Sequence, residues 1–271
     1  MEIKLLQLKN HFNQIKIGKD TVWLKVSRRT LPVVTNGIRV FVADNKNVKA
    51  LSTDKKVHGL LKKDALICVS DFRQPLLDFS RFIFPVSYND GFLWSTEEDS
   101  YMFSYLGPDK SKAENFYQSH EGIDFNLHDA RGLEKHWLLA LEKSLVVWVE
   151  EGRSDQTDRE ASVLLQSSTE RGVFYLYEHL NKRNIAVREG QEVVRGEPLG
   201  TAWGDEIWGH LQLAVIFSDT VPAYSNRHHN LVNGFPQLYE LYFQESSTYT
   251  KTFTKGRIYF GRKRSINGNQ K

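Results

Sequence analysis

The chain has 271 residues, of which 40% are hydrophobic and 25% charged, as in a soluble globular protein long enough for one large domain or two modest ones. A net charge of +3 is too small to argue for a nucleic-acid partner, and no stretch reaches the apolar length of a membrane-spanning helix. The start, "MEIKLLQLKNHF", carries an acid at position 2 and no long apolar run, so it does not read as a secretory signal. The expected location is cytoplasmic, or periplasmic or extracellular if the chain is a mature or trimmed form. Cys68 is the single cysteine, which excludes an intrachain disulfide and leaves the redox compartment open.

Aromatic residues reach 12%, and aromatic, β-branched sequences lean towards strands. Core and cross-strand packing accounts for such a content; stacking on sugars or peptides is the alternative. In chain order, the first 80 residues predict a small β-rich unit. "TVWLKVS" alternates Val22, Leu24 and Val26, "GIRVFVAD" alternates Ile38, Val40 and Val42, and "ALICVS" is a short apolar run that makes Cys68 a buried strand residue. Asn36-Gly37, Asp44-Asn45 and His58-Gly59 are the turn signals between them. "DFRQPLLDFSRF" reads as a connection with room for a helical turn.

A second unit over 82–218 starts at "FIFPVSYNDG" and continues through "KSLVVWVEEG", "ASVLLQSS", "GVFYLYEHL", "REGQEVVRGEPLGTAWG" and "WGHLQLAVIF". Short strands punctuated by Gly190, Gly196, Gly200 and Gly204 predict a mainly β fold, an antiparallel sheet, sandwich or barrel. "LEKHWLLALEKS" fits either a helix or a loop leading into a strand. Residues 219–271 are expected to be an extension with a basic end: Lys251, Lys255, Arg257, Arg262, Lys263, Arg264 and Lys271 follow one another with no acid between them. Such a tail suits an anionic polymer or surface, or is a solvated terminus.

Four segments of the second unit bear chemistry. "HEGIDF" offers His120 and Asp124 around Gly122, which lets the backbone turn tightly. "FYLYEHL" places His179 on the face of Tyr175 and Tyr177. "GHLQL" puts His210 and Gln212 two apart, on one face of a strand. The Gly-rich turn over 188–200 joins the last two.

These segments resemble the lysostaphin/LytM-type zinc endopeptidases (the duplicated hybrid motif fold), which cut peptide crosslinks in bacterial cell walls. The family's motifs are His-x-Gly-x-Asp, Tyr-x-His-Leu, a Gly-x-x-Val-x-x-Gly-x-x-x-Gly turn and His-x-His. The counterparts are His120–Asp124, Tyr177–Leu180, Gly190–Gly200 and His210-Leu-Gln212, with "FPVS" at 84–87 ahead of the first. The resemblance spans about 82–218 and implies the antiparallel sheet of that family beside an N-terminal β-rich domain over 1–80.

It implies His120 and Asp124 as zinc ligands and His179 and His210 as catalytic histidines that activate water and stabilise the oxyanion. Tyr175 and Tyr177 are then expected to contact substrate. Zinc held by three protein ligands keeps a position open for water and lowers its pKa, and a nearby imidazole can move the proton.

Gln212 departs from the pattern, because it stands where the family has its third ligand, a histidine. An amide oxygen is a weak zinc donor beside imidazole, so zinc is expected to bind weakly or not at all. His128, His136, His228 and His229 are the candidates to replace the lost ligand. Three functions stay open: a degenerate domain, weak or inactive as a peptidase, that binds peptidoglycan or an anionic glycan in the cleft; an active zinc endopeptidase; and a histidine-based enzyme acting on polysaccharide.

Overall fold

The structure, a computed structural model, describes residues 1–9, 12–25, 32–47, 63–86, 92–95, 103–104, 122–126, 137–151, 160–203, 210–228, 230–232, 234–246, 249–254 and 257–262.

The chain opens with a three-stranded antiparallel sheet of β1 (Ile3–Lys9), β2 (Phe12–Ile17) and β3 (Asp20–Lys25). Alternation decides which face is buried: Ile15, Ile17 and Leu24 enter the core while Trp23 stays exposed. A second sheet holds β4 (Val33–Thr35), β5 (Ile38–Asn45) and β6 (Ala65–Asp71). Asn36 and Gly37, at φ 49° and 75°, close the β4–β5 hairpin. Two positive φ values in sequence match a tight turn to the strand twist, which is why Asn-Gly signals it.

Asp44-Asn45, expected to turn, lies inside β5 instead. The register shifts between Val42 and Asp44, and Asn45 points at the first sheet. There its Nδ2 donates to Asn13 Oδ1 at 2.8 Å, and Asn13 Nδ2 donates to the Leu24 carbonyl at 3.0 Å. Both amides are buried, so each needs a partner, and the pair fastens the two small sheets together. His58-Gly59 lies outside the described residues.

Residues 72–86 form turns, the expected connection, without a regular helix. Phe84 and Val86 end it in the core. Next come β7 (Phe92–Ser95), β8 (Phe103–Ser104), β9 (Ile123–Asn126), β10 (Trp137–Leu139), β11 (Ser144–Glu151) and β12 (Glu160–Ser167). After them follow β13 (Val173–Asn181), β14 (Glu192–Val193), β15 (Pro198–Thr201), β16 (His210–Phe217) and β17 (Leu231–Val232).

The main sheet is antiparallel, in the order β14-β11-β12-β13-β16-β9-β8, with β17 also on β16. "LEKHWLLALEKS" resolves as a strand: β10 pairs β15 and a turn leads into β11. Its residues 133–136 lie outside the described set.

The C-terminal segment does more than extend the chain. Helix α1 (Phe235–Ser246) buries Leu238 and Leu241, three apart on one face. After it, β18 (Tyr249–Thr254) pairs β19 (Arg257–Arg262), and β19 pairs β7. Strand pairing therefore crosses the boundary expected at 218. Lys251, Arg257 and Arg262 fall in this strand pair; Lys255, Lys263, Arg264 and Lys271 lie outside the described residues. One hydrophobic core runs through the molecule, joining Ile15 and Val40 to Leu164, Leu176, Leu213 and Leu238. Ile15, Ile17, Leu24, Val40 and Val42 of the two small sheets thus pack on the same core as the main sheet. The fold is mainly β and antiparallel, as the sequence predicts.

Candidate functional site

The two faces of β13 have different fates. Tyr175 and Tyr177 are 5% and 0% exposed. The Tyr177 hydroxyl donates to the Leu139 carbonyl at 2.9 Å and accepts from the Leu141 amide at 3.0 Å. The Tyr175 hydroxyl donates to Glu142 at 2.5 Å. Glu142 is fully buried and also takes Arg81 Nε at 2.7 Å, Ser167 Oγ at 2.6 Å and Thr169 Oγ1 at 2.8 Å. Burial pushes both phenols far up, so they stay protonated donors. This corrects the expectation that the tyrosines contact substrate: they are core residues with satisfied hydroxyls, because their face of the strand lies against 139–142.

His179 was expected on that same face, and the structure turns it off. Ala161 pairs Leu180 and Val163 pairs Tyr177, so Glu178 and His179 together oppose the single residue Ser162. This is a β-bulge, with His179 at φ 65°. A non-glycine residue in that region costs about 1 kcal/mol. The imidazole Nδ1 bonds Glu160 Oε1 across the strand pair. The bulge also brings the His179 ring within 4.4 Å of the His210 ring, tilted by 55°. The two predicted catalytic histidines, 31 positions apart in the numbering of the chain, are thereby neighbours, each partly exposed.

Gln212 sits one pleat along β16 from His210. Its register partners are Glu178 on β13 and Asp124 on β9. Gln212 is 6% exposed and donates Nε2 to Glu178 Oε2 at 2.7 Å. Glu178, 7% exposed, carries two more partners: Arg227 Nε at 2.8 Å on Oε1 and His228 Nε2 at 2.8 Å on Oε2. Burial alone would raise this carboxyl; the His228 bond and charge, with those of Arg227, overcome burial and hold it below the ordinary range.

Arg227 and His228 arrive on a short segment strapped across this face. Trp148 Nε1 donates to the Pro222 carbonyl at 2.9 Å, Trp148 packs edge-on to Tyr224, and the Arg227 guanidinium lies 4.1 Å over the Tyr224 ring.

Of the predicted metal set, Gln212 is described in full and Asp124 by its backbone, which is the register partner of Gln212. His120 lies outside the described residues, as do His128, His136 and His229. His228 does reach the Gln212 pair, by way of Glu178. Gly122 has a role other than the expected tight turn. A Cβ there would meet Gln212 Cγ at 2.8 Å and the Leu213 carbonyl at 3.0 Å, so glycine lets β9 approach β16.

Gln212 turns its amide nitrogen to Glu178, and the Arg227 guanidinium shares that carboxylate; an amide is a weaker zinc donor than an imidazole. Among the described residues, no group of three His, Cys, Asp or Glu side chains is arranged to hold a metal.

Glu178, Arg227 and Glu160 escape sequence reasoning. Glu178 is printed beside His179 in "YEHL", but strict alternation sends the two to opposite faces and conceals the bulge. Arg227 precedes the paired histidines in "NRHHN", where it reads as loop charge. Glu160 is the one charged residue of β12, which was its only mark.

No protein-family model matches this sequence, and no curated protein sequence matches it. Solved structures do. The antimicrobial peptidase lysostaphin from Staphylococcus simulans is 18% identical with a TM-score of 0.38, over 56% of this chain and 59% of that one. The structure of cbpa from L. salivarius REN is 18% identical with a TM-score of 0.37, over 51% and 86%. A chain of the SpoIIQ-SpoIIIAH pore forming complex is 15% identical with a TM-score of 0.33, over 55% and 91%. In a second lysostaphin structure, determined by NMR, this chain spans 50% of the length.

Proposed function

We propose that this chain carries a lysostaphin-type peptidase-like domain that binds a cell-wall or glycan-type polymer and has weak or no peptidase activity. The observation that carries the reading is the Gln212–Glu178–Arg227–His228 network at the position of the third zinc ligand. Three motifs in family order, with the first histidine of the fourth, support the lineage; the neutral amide at the last position supports the loss of metal affinity. His179 and His210, partly exposed beside the network, form the floor of the binding surface. The basic residues towards the end of the sequence, Arg257 and Arg262 among them, suit an anionic polymer.

The test pairs two measurements on the unaltered protein. Zinc content after purification without chelator or added metal is expected to be well below one per chain, and co-sedimentation with insoluble peptidoglycan is expected to be salt-sensitive. Stoichiometric zinc with chelator-sensitive crosslink cleavage would establish the active endopeptidase instead. Absence of sedimentation together with absence of cleavage would refute the proposal.

One observation favours a second reading. Glu160, His179 and His210 make a carboxylate–imidazole–imidazole series, the ingredients of a metal-free acid–base pair acting on an acidic polysaccharide. Metal-independent depolymerisation that His210→Ala abolishes, with binding retained, would establish it.

A further inference from the structure

The sheet of β1, β2 and β3 has an outward face that the proposed function leaves unused. Ile15, Ile17 and Leu24 point inward from it, so their neighbours along each strand point out. The register sets those neighbours in three cross-strand rows. Phe12 stands between Lys9 and Lys25, and the Lys25 Nζ lies 5.9 Å from the Phe12 ring centroid. One row on, Gln14 stands between Gln7 and Trp23. On the last row Lys16 lies directly opposite Lys4. Trp23 is 46% and Phe12 39% exposed, and the two are diagonal neighbours on adjacent strands, about 7–8 Å apart. Strand spacing and rise make the face about 10 Å by 14 Å.

Its charge has one sign. From Ile3 to Lys25 the only acid is Asp20. Asp20 pairs Ile17 on the inward side, where its carboxylate accepts from Thr35 Oγ1 at 2.6 Å and Asn36 Nδ2 at 2.9 Å. Like charges directly opposite each other, as Lys4 and Lys16 are, oppose strand pairing, and an anion laid over them removes that repulsion.

We propose that this face docks an acidic polysaccharide, with uronate-type carboxylates on the lysines and sugar rings stacked on Trp23 and Phe12. The proposal rests on the proposed function only for the class of polymer, since His179 and His210 belong to a different sheet. The middle row decides the class. The amides of Gln7 and Gln14 both donate and accept, as sugar hydroxyls do, whereas the oxygens of a phosphodiester only accept. A lipid surface calls for a continuous apolar face, and the amides interrupt Leu6, Phe12 and Trp23. An acidic peptide satisfies the lysines and leaves the two rings without a stacked partner.

Calorimetric titration of the full chain with polygalacturonate, its methyl ester, polyglutamate and oligothymidylate tests this. Polygalacturonate is expected to bind at least about tenfold tighter than each of the others and to weaken as salt rises. Trp23→Ala, and Lys4→Gln combined with Lys16→Gln, are each expected to weaken it about tenfold, with the urea midpoint kept because these side chains are exposed.

Reductive methylation of lysines, read by mass spectrometry, needs no substitution. Saturating polygalacturonate is expected to slow modification of Lys4, Lys9, Lys16 and Lys25 about tenfold, in line with occupancy, and to leave Lys143 unchanged. Absence of polygalacturonate binding, equal or tighter binding of any of the other three polymers, sedimentation with phosphatidylserine vesicles, or protection confined to the lysines after residue 250 each overturns the proposal. Insoluble peptidoglycan tests the histidine surface and the soluble acid polymer tests this face, so each can fail alone.

Discussion

Glu178→Gln is the substitution that tests the network most directly. The carboxylate is 7% exposed and accepts three hydrogen bonds, two of them from groups that carry or can carry charge. Glutamine keeps the shape but removes the charge, and its new NH2 faces a donor whichever way the amide is turned. Breaking a buried ion pair by removing one partner costs about 3–5 kcal/mol. Arg227, whose side chain is 24% exposed, can recover part of that by turning to water. The expected loss is therefore about 2–3 kcal/mol, the worth of one or two charge-assisted bonds.

Urea unfolding should show a lower midpoint with an unchanged slope. Arg227→Gln, alone and combined with Glu178→Gln, completes a cycle with an expected coupling of about 1.5 kcal/mol or more. A loss under about 0.5 kcal/mol for Glu178→Gln, the size of an ordinary surface change, would refute the picture of a buried ion network at the ligand position.

Acid should act through the same group. The folded Glu178 carboxyl lies below its unfolded value of about 4.3, so its contribution is fully present above that pH and is lost as pH falls through the folded value. Urea midpoints followed from pH 6 to 3 should decline less steeply in Glu178→Gln than in the unaltered protein.

Tyr175→Phe removes one of four donors to buried Glu142 and should cost about 1–2 kcal/mol while leaving polymer binding unchanged; lost binding in a folded variant would restore the tyrosine to the ligand surface. Gly122→Ala should destabilise by about 1–3 kcal/mol in thermal or urea unfolding, since its Cβ would press on Gln212 and Leu213. The double variant Gln212→His with Arg227→Ala should raise zinc affinity at least about tenfold by equilibrium dialysis, because it supplies an imidazole and removes the guanidinium.

Much of this molecule is legible in the chain, because short-range patterns act through short-range physics. Val40 and Val42 are buried and Ile38 packs against the same core, one face of a strand as period two places them, and Asn36-Gly37 closes the hairpin because those residue types tolerate positive φ. The segment "ASVLLQSS" lies in a strand buried on both faces, between β11 and β13 in the main sheet. His210 and Gln212 share a face through spacing alone. By contrast, Asp44-Asn45 carries a turn signature and lies in a strand, since Asn45 finds a better partner in Asn13, 32 residues away. Helix α1 has modest amphipathicity over 12 residues, and its burial rests on surfaces supplied by β5, β6 and β16.

The site divides along the same line. Sequence alone determined that Gln212 is not an imidazole, that Cys68 stands alone, and that His120, Asp124, His179, His210 and Gln212 follow one another in a meaningful order. Only the tertiary structure decided what surrounds them. A bulge in β13, where Glu178 and His179 together oppose Ser162 of β12, moved His179 to His210 and left the tyrosines in the core. Arg227 and His228 met Glu178 because a segment 49 residues downstream folds back over the sheet. Bulges and return paths are settled by the sum of contacts across the sheet, and no window of the sequence contains that sum.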